Sequence, residues 1–438
     1  MKLSSLEFFQ VFNFKTHESR GRLVMLSSAI LSSIFGYLTT GIFYTSFLIG
    51  NDIDIVDMGV LTYIPYTTSF LSLFAPMILE RMKRRKIYLF VMQTLSHTIN
   101  ILGITLLPLF VQDKQMKLVG FGIIVFLSGA LSALISSGYT VWHLNFIPDE
   151  VRAKYYSVQQ IISMVFAAIT LLTSSTIADA LSGTPRELEI ITTFRYIGFA
   201  LAIVQMILLL LPKEFPYPPV ERVRFKDVFA LPLKNKPFMF TMSIIAMWQF
   251  SATFSSLFGY YLLNDCNASY TFINFTDAAY AIFLIVLSPF WVKFLRRKSW
   301  LRTFAITAFM IAPVEIFYSF ANASNYIVIL LIAKMTAHCI GVGQNLSYAN
   351  IPNLALPAEG RSNYIVFYSL VLSFSSFLGT YTVTQMLALT EGITFNIFGA
   401  ELVGVQILRM TGGILQGLVG LYVLKVSPKF GLMPQKNK

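Results

Sequence analysis

The feature that most constrains this chain is a succession of twelve apolar runs, each long enough to cross a lipid bilayer. A helix needs about 20 mostly apolar residues to cross the roughly 30 Å hydrocarbon core. Hydrophobic residues make up 55% of the 438 residues and charged residues only 12%, whereas average soluble domains carry about 25% charged residues. These proportions exclude an ordinary soluble enzyme, a disordered protein and a nucleic-acid-binding domain. The predicted spans are Val24–Leu48, Met58–Leu79, Ile87–Val111, Leu118–Ile147, Tyr156–Leu181, Phe194–Leu211, Phe238–Leu263, Phe272–Val292, Thr303–Phe320, Tyr326–Leu356, Tyr364–Thr390 and Val405–Leu424.

The positive charges predict how these spans are oriented, because Lys and Arg stay preferentially on the cytoplasmic side. Of the 33 Lys and Arg residues, 27 fall in segments on the side of the N-terminus and 4, including Arg195, in the opposite loops. We therefore expect both termini to be cytoplasmic in a multi-pass protein of the plasma membrane. The net charge of +12 is then mainly a topology signal, and no nucleic-acid partner is expected.

A polar, proline-containing stretch divides the spans into two sets of six. Proline lacks an N–H group and breaks helix interiors, so this stretch reads as a linker with one short amphipathic turn around Phe225–Leu231. We expect an N-terminal six-helix bundle at residues 1–212, a cytoplasmic linker at 213–237 and a C-terminal six-helix bundle at 238–438. The fold class is all-α and integral to the membrane.

Two loop motifs recur in equivalent positions of the two halves. The charged segment Glu80–Arg85 follows the second span, and Lys293–Lys298 follows the eighth at an offset of 213 residues. The pattern Pro-x-Glu-x-Arg occurs at Pro148–Arg152 after the fourth span and again at Pro357–Arg361 after the tenth, at an offset of 209 residues. Recurrence at nearly equal offsets indicates an internal repeat, and the fold is then two related six-helix units.

With this topology the chain resembles the major facilitator superfamily of membrane transporters. That family carries a Gly-x-x-x-Asp-Arg-x-Gly-Arg-Arg motif between its second and third spans. The acid and three basic residues of the motif are kept in kind, at Glu80, Arg81, Arg84 and Arg85. Pro76 and Lys83 replace its two glycines. The resemblance covers essentially the whole chain and implies two helical bundles that rock around a central substrate site.

The resemblance also implies a gate at the cytoplasmic ends of the helices. Glu80 is expected to bind the positive N-terminus of the eleventh helix, where Arg361 is a further ion-pair partner. Glu150 with Arg152, and Glu359 with Arg361, would form similar ties within each half. The alternative is that these charges only set the topology.

Ionisable side chains inside the spans are the first candidates for substrate binding or ion coupling, because such groups are costly and usually face the bundle interior. Lys334 and His338 lie four residues apart and share one face of the tenth span. We expect them to attract an anion or to take part in proton coupling. The alternative is a structural ion pair between Lys334 and Glu315 of the ninth span. Arg409, near the outer end of the twelfth span, is expected to snorkel to the surface.

Amide and aromatic side chains form a second group of candidates. Trp248, Gln249 and Asn345 are the ligand contacts predicted in the C-terminal half. Further polar residues that could line a cavity are Tyr37, Tyr44, Gln159, Gln160 and Gln344. Aromatic and amide groups together suit sugars, nucleosides or flat organic solutes.

The sequence therefore predicts a secondary active or facilitative transporter that moves a small organic solute by alternating access. The solute is expected to be anionic or zwitterionic and its transport proton- or ion-coupled, with uniport, symport and antiport left open. We expect a monomer with no catalytic site, cofactor or metal, since the two cysteines offer no metal quartet. The alternatives are a non-transporting sensor or assembly protein on the same fold, and a lipid-handling protein.

Overall fold

The computed structural model describes residues 11–12, 16–215, 217, 225–357 and 359–430. Nearly all of these residues are helical, and the one β-sheet among them is a two-stranded hairpin. The first nine α-helices, numbered in chain order, are α1 His17–Thr39, α2 Gly41–Ile49, α3 Ile55–Thr68, α4 Phe74–Leu79, α5 Lys86–His97, α6 Ile104–Phe110, α7 Lys114–Phe146, α8 Asp149–Leu181 and α9 Glu187–Leu209.

The second part of the chain is also mostly helical. Its α-helices are α10 Phe225–Lys234, α11 Lys236–Ala252, α12 Phe258–Asn264, α13 Tyr270–Ala278, α14 Tyr280–Lys298, α15 Trp300–Tyr318, α16 Tyr326–Tyr348, α17 Arg361–Leu389 and α18 Gly404–Val426. Strands β1 Thr394–Ile397 and β2 Ala400–Val403 pair antiparallel between α17 and α18, with Thr394 opposite Val403. The expected turn around Phe225–Leu231 is found as α10, which continues to Lys234.

The chain forms two compact units. Unit 1 consists of Met1–Ile53 and Thr68–Arg222, and unit 2 of Asp54–Thr67 and Val223–Lys438. The short segment Asp54–Thr67 packs within unit 2, where the ring of Tyr63 lies 5.8 Å from that of Phe377. Residues 216 and 218–224 of the expected linker lie outside the described residues.

Ten helices of the described chain are long and apolar enough to cross a membrane by length and composition. The predicted number of twelve is not confirmed, because the second and seventh predicted spans do not form single long helices. A 3₁₀ segment at Ser69–Leu73 separates α3 from α4, and another at Thr253–Ser255 separates α11 from α12. A 3₁₀ segment changes the rise per residue and breaks the α-helical hydrogen-bond pattern, so each of these spans is built from shorter helices.

The first and third predicted spans of unit 1 are also interrupted. Thr40, which follows α1, has an extended backbone. Gly41, the first residue of α2, has a φ of 58°, a left-handed conformation that favours glycine. This change of backbone direction separates α1 from α2. A π-helical segment at Thr98–Gly103 joins α5 to α6. Both interruptions release backbone carbonyls from the regular helical ladder, and such carbonyls need partners inside a bilayer.

In unit 2, glycines allow α18 to pack closely against α15. A Cβ atom on Gly420 would stand 2.7 Å from the carbonyl oxygen of Ala305, and one on Gly413 would stand 3.0 Å from that of Ala312. Small residues at such interfaces let helix backbones approach in membranes, where lipid supplies no hydrophobic force between helices. This packing fixes the positions of Glu315 on α15 and Arg409 on α18.

Candidate functional site

A polar pocket opens in unit 1 between α1 and α8. Its volume is about 490 Å³, which lies in the range of about 300–1,000 Å³ typical of small-molecule sites. Ser32, Ser33 and Tyr37 on α1 face Gln159, Gln160, Ser163 and Tyr156 on α8 across this pocket. Acidic and basic side chains are absent from its lining, so its polar groups are hydroxyls and amides, which lie beside alanine and methionine side chains.

Two polar atoms at this pocket lack a hydrogen-bond partner among the described residues. They are the Oε1 atom of Gln159 and the Oγ atom of Ser163, both buried. A buried polar atom without a partner costs free energy of about 1–3 kcal/mol, so these atoms are suited to bind a polar solute or water. The amide oxygen accepts hydrogen bonds, and the hydroxyl both donates and accepts.

The ionisable residues of unit 2 form two ion pairs. Lys334 Nζ lies 2.7 Å from Asp277 Oδ1, and the lysine side chain is only 13% exposed while that of Asp277 is 54% exposed. Lys334 also donates to the carbonyl of Ile273 over 3.4 Å. The alternative considered from the sequence was an ion pair of Lys334 with Glu315, and the structure pairs the lysine with Asp277 on α13 instead.

Glu315 instead pairs with Arg409, with 2.7 Å between Glu315 Oε2 and Arg409 Nη2. The guanidinium of Arg409 also lies 3.7 Å from the ring centroid of Tyr318 and 4.6 Å from that of Phe258. Arg409 is buried, so the prediction that it snorkels to the surface is wrong. Because α18 packs closely on α15, the Arg409 guanidinium reaches the Glu315 carboxylate. The prediction of snorkelling considered the twelfth span alone and did not include this neighbouring helix.

His338 and Asn345 continue the face of α16 that carries Lys334. His338 Nε2 lies 2.8 Å from the carbonyl oxygen of Thr276, and its ring packs against Tyr280. The exposed Asn345 side chain donates to the Tyr280 hydroxyl over 2.7 Å. The structure thus brings Lys334, His338 and Asn345 together along α13 and α14, with each polar group already bonded to a neighbour.

Trp248 and Gln249, both half-buried, lie near the end of α11. The ring of Trp248 packs edge-on against Phe304 at 5.2 Å and against Tyr348 at 6.4 Å. Trp248 is therefore part of an aromatic cluster within unit 2. Its role in binding a ligand remains a prediction, as does that of Gln249.

The basic loop of the expected gate is held by the beginning of the linker. Glu214 Oε1 accepts hydrogen bonds from the backbone N–H groups of Arg85, at 2.6 Å, and Lys86, at 3.0 Å. The Arg85 guanidinium lies 4.1 Å above the ring of Tyr217. Burial and the Glu214 carboxylate raise the pKa of Tyr217, whose hydroxyl donates to Glu214. The carboxylate thus caps the N-terminus of α5.

The other gate residues lie at helix ends of their own units. Glu80 is half-buried just after α4, while Arg81 and Arg84 are exposed. Arg152 donates to the carbonyls of Leu144, at 2.8 Å, and Ile147, at 3.0 Å, and so binds the C-terminus of α7. The last three residues of the expected gate also lie at helix ends, and all three are exposed: Glu150, Glu359 and Arg361.

Arg195 is the residue that sequence reasoning misplaced. It was assigned to an outer loop, yet it is 1% exposed within α9. Its Nε donates to Thr105 Oγ1 at 2.9 Å, and its Nη atoms donate to the carbonyls of Thr39, at 3.1 Å, and Ile101, at 3.3 Å. These carbonyls belong to the interruption after α1 and to the π-helical segment. In the sequence, the position of Arg195 within an apolar run, between Phe194 and Gly198, could have indicated that it lies inside a span.

The comparisons with known proteins agree with this architecture. The sequence profile described as Major Facilitator Superfamily matches residues 23–380. This match covers well over half of the chain, and the chain belongs to the Major Facilitator Superfamily. No curated protein sequence matches it significantly.

Solved structures of transporters share its fold. The nucleoside transporter NupG, in a D323A mutant form, has a TM-score of 0.69 at 12% sequence identity and covers 92% of this chain and 99% of its own. A bacterial homolog of the human lysosomal transporter Spinster has a TM-score of 0.65 at 13% identity, over 97% of this chain and 100% of its own. The xylose transporter XylE from E. coli has a TM-score of 0.65 at 12% identity, over 95% and 97%.

Family membership and the apolar helices confirm two of the predictions from sequence. The chain is a multi-pass membrane protein, and it is a transporter of small solutes that works by alternating access. At 12–13% identity the solved structures show the fold and leave the substrate to be argued from this chain's own residues.

Proposed function

We propose that the chain transports an uncharged, hydroxyl-bearing organic solute of the sugar or nucleoside class. The observation that carries this proposal is the pocket between α1 and α8, lined by serine, tyrosine and glutamine side chains. Gln159 Oε1 and Ser163 Oγ have no partner among the described residues, and a sugar hydroxyl can satisfy both. The structural neighbours described as nucleoside and xylose transporters support the same class.

A second candidate is a zwitterionic solute bound at Lys334 and Asp277. The expectation of an anionic solute depended on an uncompensated lysine charge, but Lys334 is paired. A purely anionic solute would have to displace Asp277 and leave that carboxylate without its cation. The half-exposed Asp277 side chain leaves one side of the pair open, which favours a solute that carries both charges. For a sugar or nucleoside, the first candidate, we assign the Lys334–Asp277 pair and His338 to proton or ion coupling instead.

A thermal-shift screen separates the two candidates. Purified protein would be heated with pentoses, hexoses, nucleosides, amino acids and organic acids in turn. A ligand at about 100 times its dissociation constant stabilises by about 2.7 kcal/mol. Sugars or nucleosides should stabilise the wild type but not Gln159→Leu or Ser163→Ala, whereas Ser136→Ala, at an exposed serine outside the pocket, is the control.

The result that would overturn the first candidate is stabilisation by amino acids that is lost in Lys334→Ala and kept in Gln159→Leu. Uptake of the stabilising solute into proteoliposomes, with and without a pH gradient, then tests transport and coupling. In Lys334→Ala the sugar should still bind, and the effect of the pH gradient on uptake should be lost.

The remaining parts of the proposal concern orientation and gating. Both termini are assigned to the cytoplasm on the distribution of Lys and Arg. The assignments to the plasma membrane and to a monomer are parts of the same proposal. The two bundles are assigned to residues 1–212 and 238–438, with the linker at 213–237. Glu80 is assigned the latch role at the cytoplasmic ends of the helices, supported by its half-buried position after α4.

A further inference from the structure

An apolar groove runs along unit 2 between α17 and α18, with α11 as its floor. Its volume is about 570 Å³. Met247 and Phe250 form the floor, while Phe374 and Leu378 on one side and Leu418 on the other form the walls. Phe374 and Leu418 are each more than half exposed. The groove is open to the surroundings of unit 2 rather than enclosed in its core.

The groove has a defined orientation along the helices. Ser243 on α11 and Tyr422 on α18 are joined by a 3.0 Å hydrogen bond between their hydroxyls. The ring of Phe430, beyond the end of α18, stacks on Phe240 at 4.6 Å. These contacts align the beginning of α11 with the end of α18. One end of the groove therefore lies toward the linker and the C-terminus, the side assigned to the cytoplasm.

Lysines stand at that end on the same helix faces. Leu415, Leu418 and Tyr422 line the groove from α18, and Lys425 follows three residues later on the same face. On α11, Lys236 lies seven residues before Ser243, which is two helical turns on the same face. Both lysine side chains are exposed. Apolar walls thus lead to a pair of positive charges.

The length of the groove matches one leaflet of a bilayer. Ten residues separate Leu415 from Lys425, which corresponds to about 15 Å at the rise of an α-helix. Half of the hydrocarbon core is also about 15 Å. Lys425 therefore stands at the level of the headgroups when Leu415 lies near the middle of the membrane.

We propose that this groove is a binding site for an anionic phospholipid of the cytoplasmic leaflet. One acyl chain lies between Phe374 and Leu418, and the headgroup phosphate binds Lys425 and Lys236. The inference depends on the assigned orientation and is independent of the solute pocket in unit 1. It gives the lipid a place where it can influence how α11, α17 and α18 move during transport.

Native mass spectrometry of the purified full chain tests the site. The protein would be mixed with phosphatidylglycerol or phosphatidylcholine of the same acyl chains, and the retained lipids would be counted. We expect one phosphatidylglycerol to be retained in preference to phosphatidylcholine. Lys425→Ala and Lys236→Ala should each lower this affinity about fivefold, as the attraction of one lysine to an anionic lipid surface predicts.

Two further variants separate the groove from general surface charge. Lys293→Ala removes another exposed lysine at the end of α14 and should leave the affinity unchanged. Leu418→Trp fills the groove and should lower retention of phosphatidylglycerol while both lysines remain. Glycerol phosphate, which has the headgroup charge without acyl chains, should not compete.

Three results would overturn the proposal. They are equal retention of both lipids, an equal loss in Lys293→Ala, and competition by glycerol phosphate at the concentration of the lipid. The last result would assign the lysines to a free phosphate compound instead.

Discussion

Arg195 and Arg409 both place a guanidinium inside an apolar bundle, but their charges are met in different ways. Arg409 has a carboxylate partner, Glu315, at 2.7 Å. Arg195 is bonded to the hydroxyl of Thr105 and to backbone carbonyls of interrupted helices. The planar guanidinium has five N–H donors in a fixed geometry, so it can reach several acceptors at once.

The first prediction concerns Arg195. Arg195→Met should lower stability by about 3 kcal/mol or more, because each hydrogen bond from a charged donor contributes about 1.5–3 kcal/mol. Arg195→Lys should be intermediate, since a lysine keeps the charge but reaches fewer acceptors. The melting temperature in detergent measures both. A melting temperature of Arg195→Met equal to that of the wild type would contradict the role assigned here.

The second prediction concerns the pair of Glu315 and Arg409. Glu315→Gln leaves a buried arginine without its counter-ion, and removing one partner of a buried pair costs about 3–5 kcal/mol. Replacing both, as Glu315→Gln with Arg409→Met, should cost less than the sum of the single changes. Thermal unfolding of the four proteins gives the coupling. Strict additivity would show that the two side chains do not interact.

At the scale of elements, the helix ends show how separate segments are joined. The linker carboxylate of Glu214 caps α5 through the N–H groups of Arg85 and Lys86, while Arg152 binds the carbonyl end of α7. In both cases a charge meets the helix dipole of opposite sign. The basic loop that the sequence assigned to topology and gating also has a structural role within unit 1.

The third prediction concerns the Glu214 carboxylate that caps α5. Glu214→Ala should destabilise unit 1 by about 0.5–2 kcal/mol, the range for loss of an N-cap acceptor. Glu214→Asp, which keeps the charge on a shorter side chain, is the matched variant and should retain part of the effect. Protection of the α5 amides against hydrogen exchange reports the change locally. Unchanged protection of these amides in Glu214→Ala would contradict the capping role of Glu214.

The fourth prediction tests the contact of α18 with α15. Gly420→Ala should destabilise unit 2, because its Cβ atom would stand 2.7 Å from the carbonyl oxygen of Ala305. An overpacked contact typically costs about 1–3 kcal/mol. The control is Gly36→Ala in α1, where a Cβ atom meets nothing within 4 Å and where alanine is the better helix former. Equal melting temperatures of these two variants would contradict the close packing.

For the whole molecule, the family membership implies motion between two alternating states. The residue assigned to control that motion is Glu80. The fifth prediction is that Glu80→Gln weakens closure of the cytoplasmic side. A cysteine introduced at Gln160, in a variant with Cys266 and Cys339 replaced by serine, should then react faster with a water-soluble thiol reagent.

The control for this experiment is Glu189→Gln, which removes an exposed acid at the opposite end of unit 1. It should leave the reaction rate of the introduced cysteine unchanged. An unchanged rate in Glu80→Gln as well would exclude the latch role. Loss of the folded protein would be seen separately, by size-exclusion chromatography.

The sequence by itself determined the class of this protein. Runs of about 20 apolar residues have few options besides membrane helices, and the recurring loop motifs indicated two related halves. These properties are local or periodic, so they can be read along the chain. The sequence also identified several of the ionisable residues inside the spans, because such groups are rare there, although it assigned the buried Arg195 to a loop.

Only the tertiary structure decided which of those charges meet. Lys334 pairs with Asp277 and Arg409 with Glu315, whereas the sequence offered Glu315 only as an alternative partner for Lys334. The breaks that divide the second and seventh spans, and the pocket between α1 and α8, likewise depend on how distant helices pack. Partner choice follows from the rotation and depth of each helix against its neighbours. A shift of one residue turns a helix by about 100°, since a turn contains 3.6 residues, and hydropathy along one span does not determine that rotation.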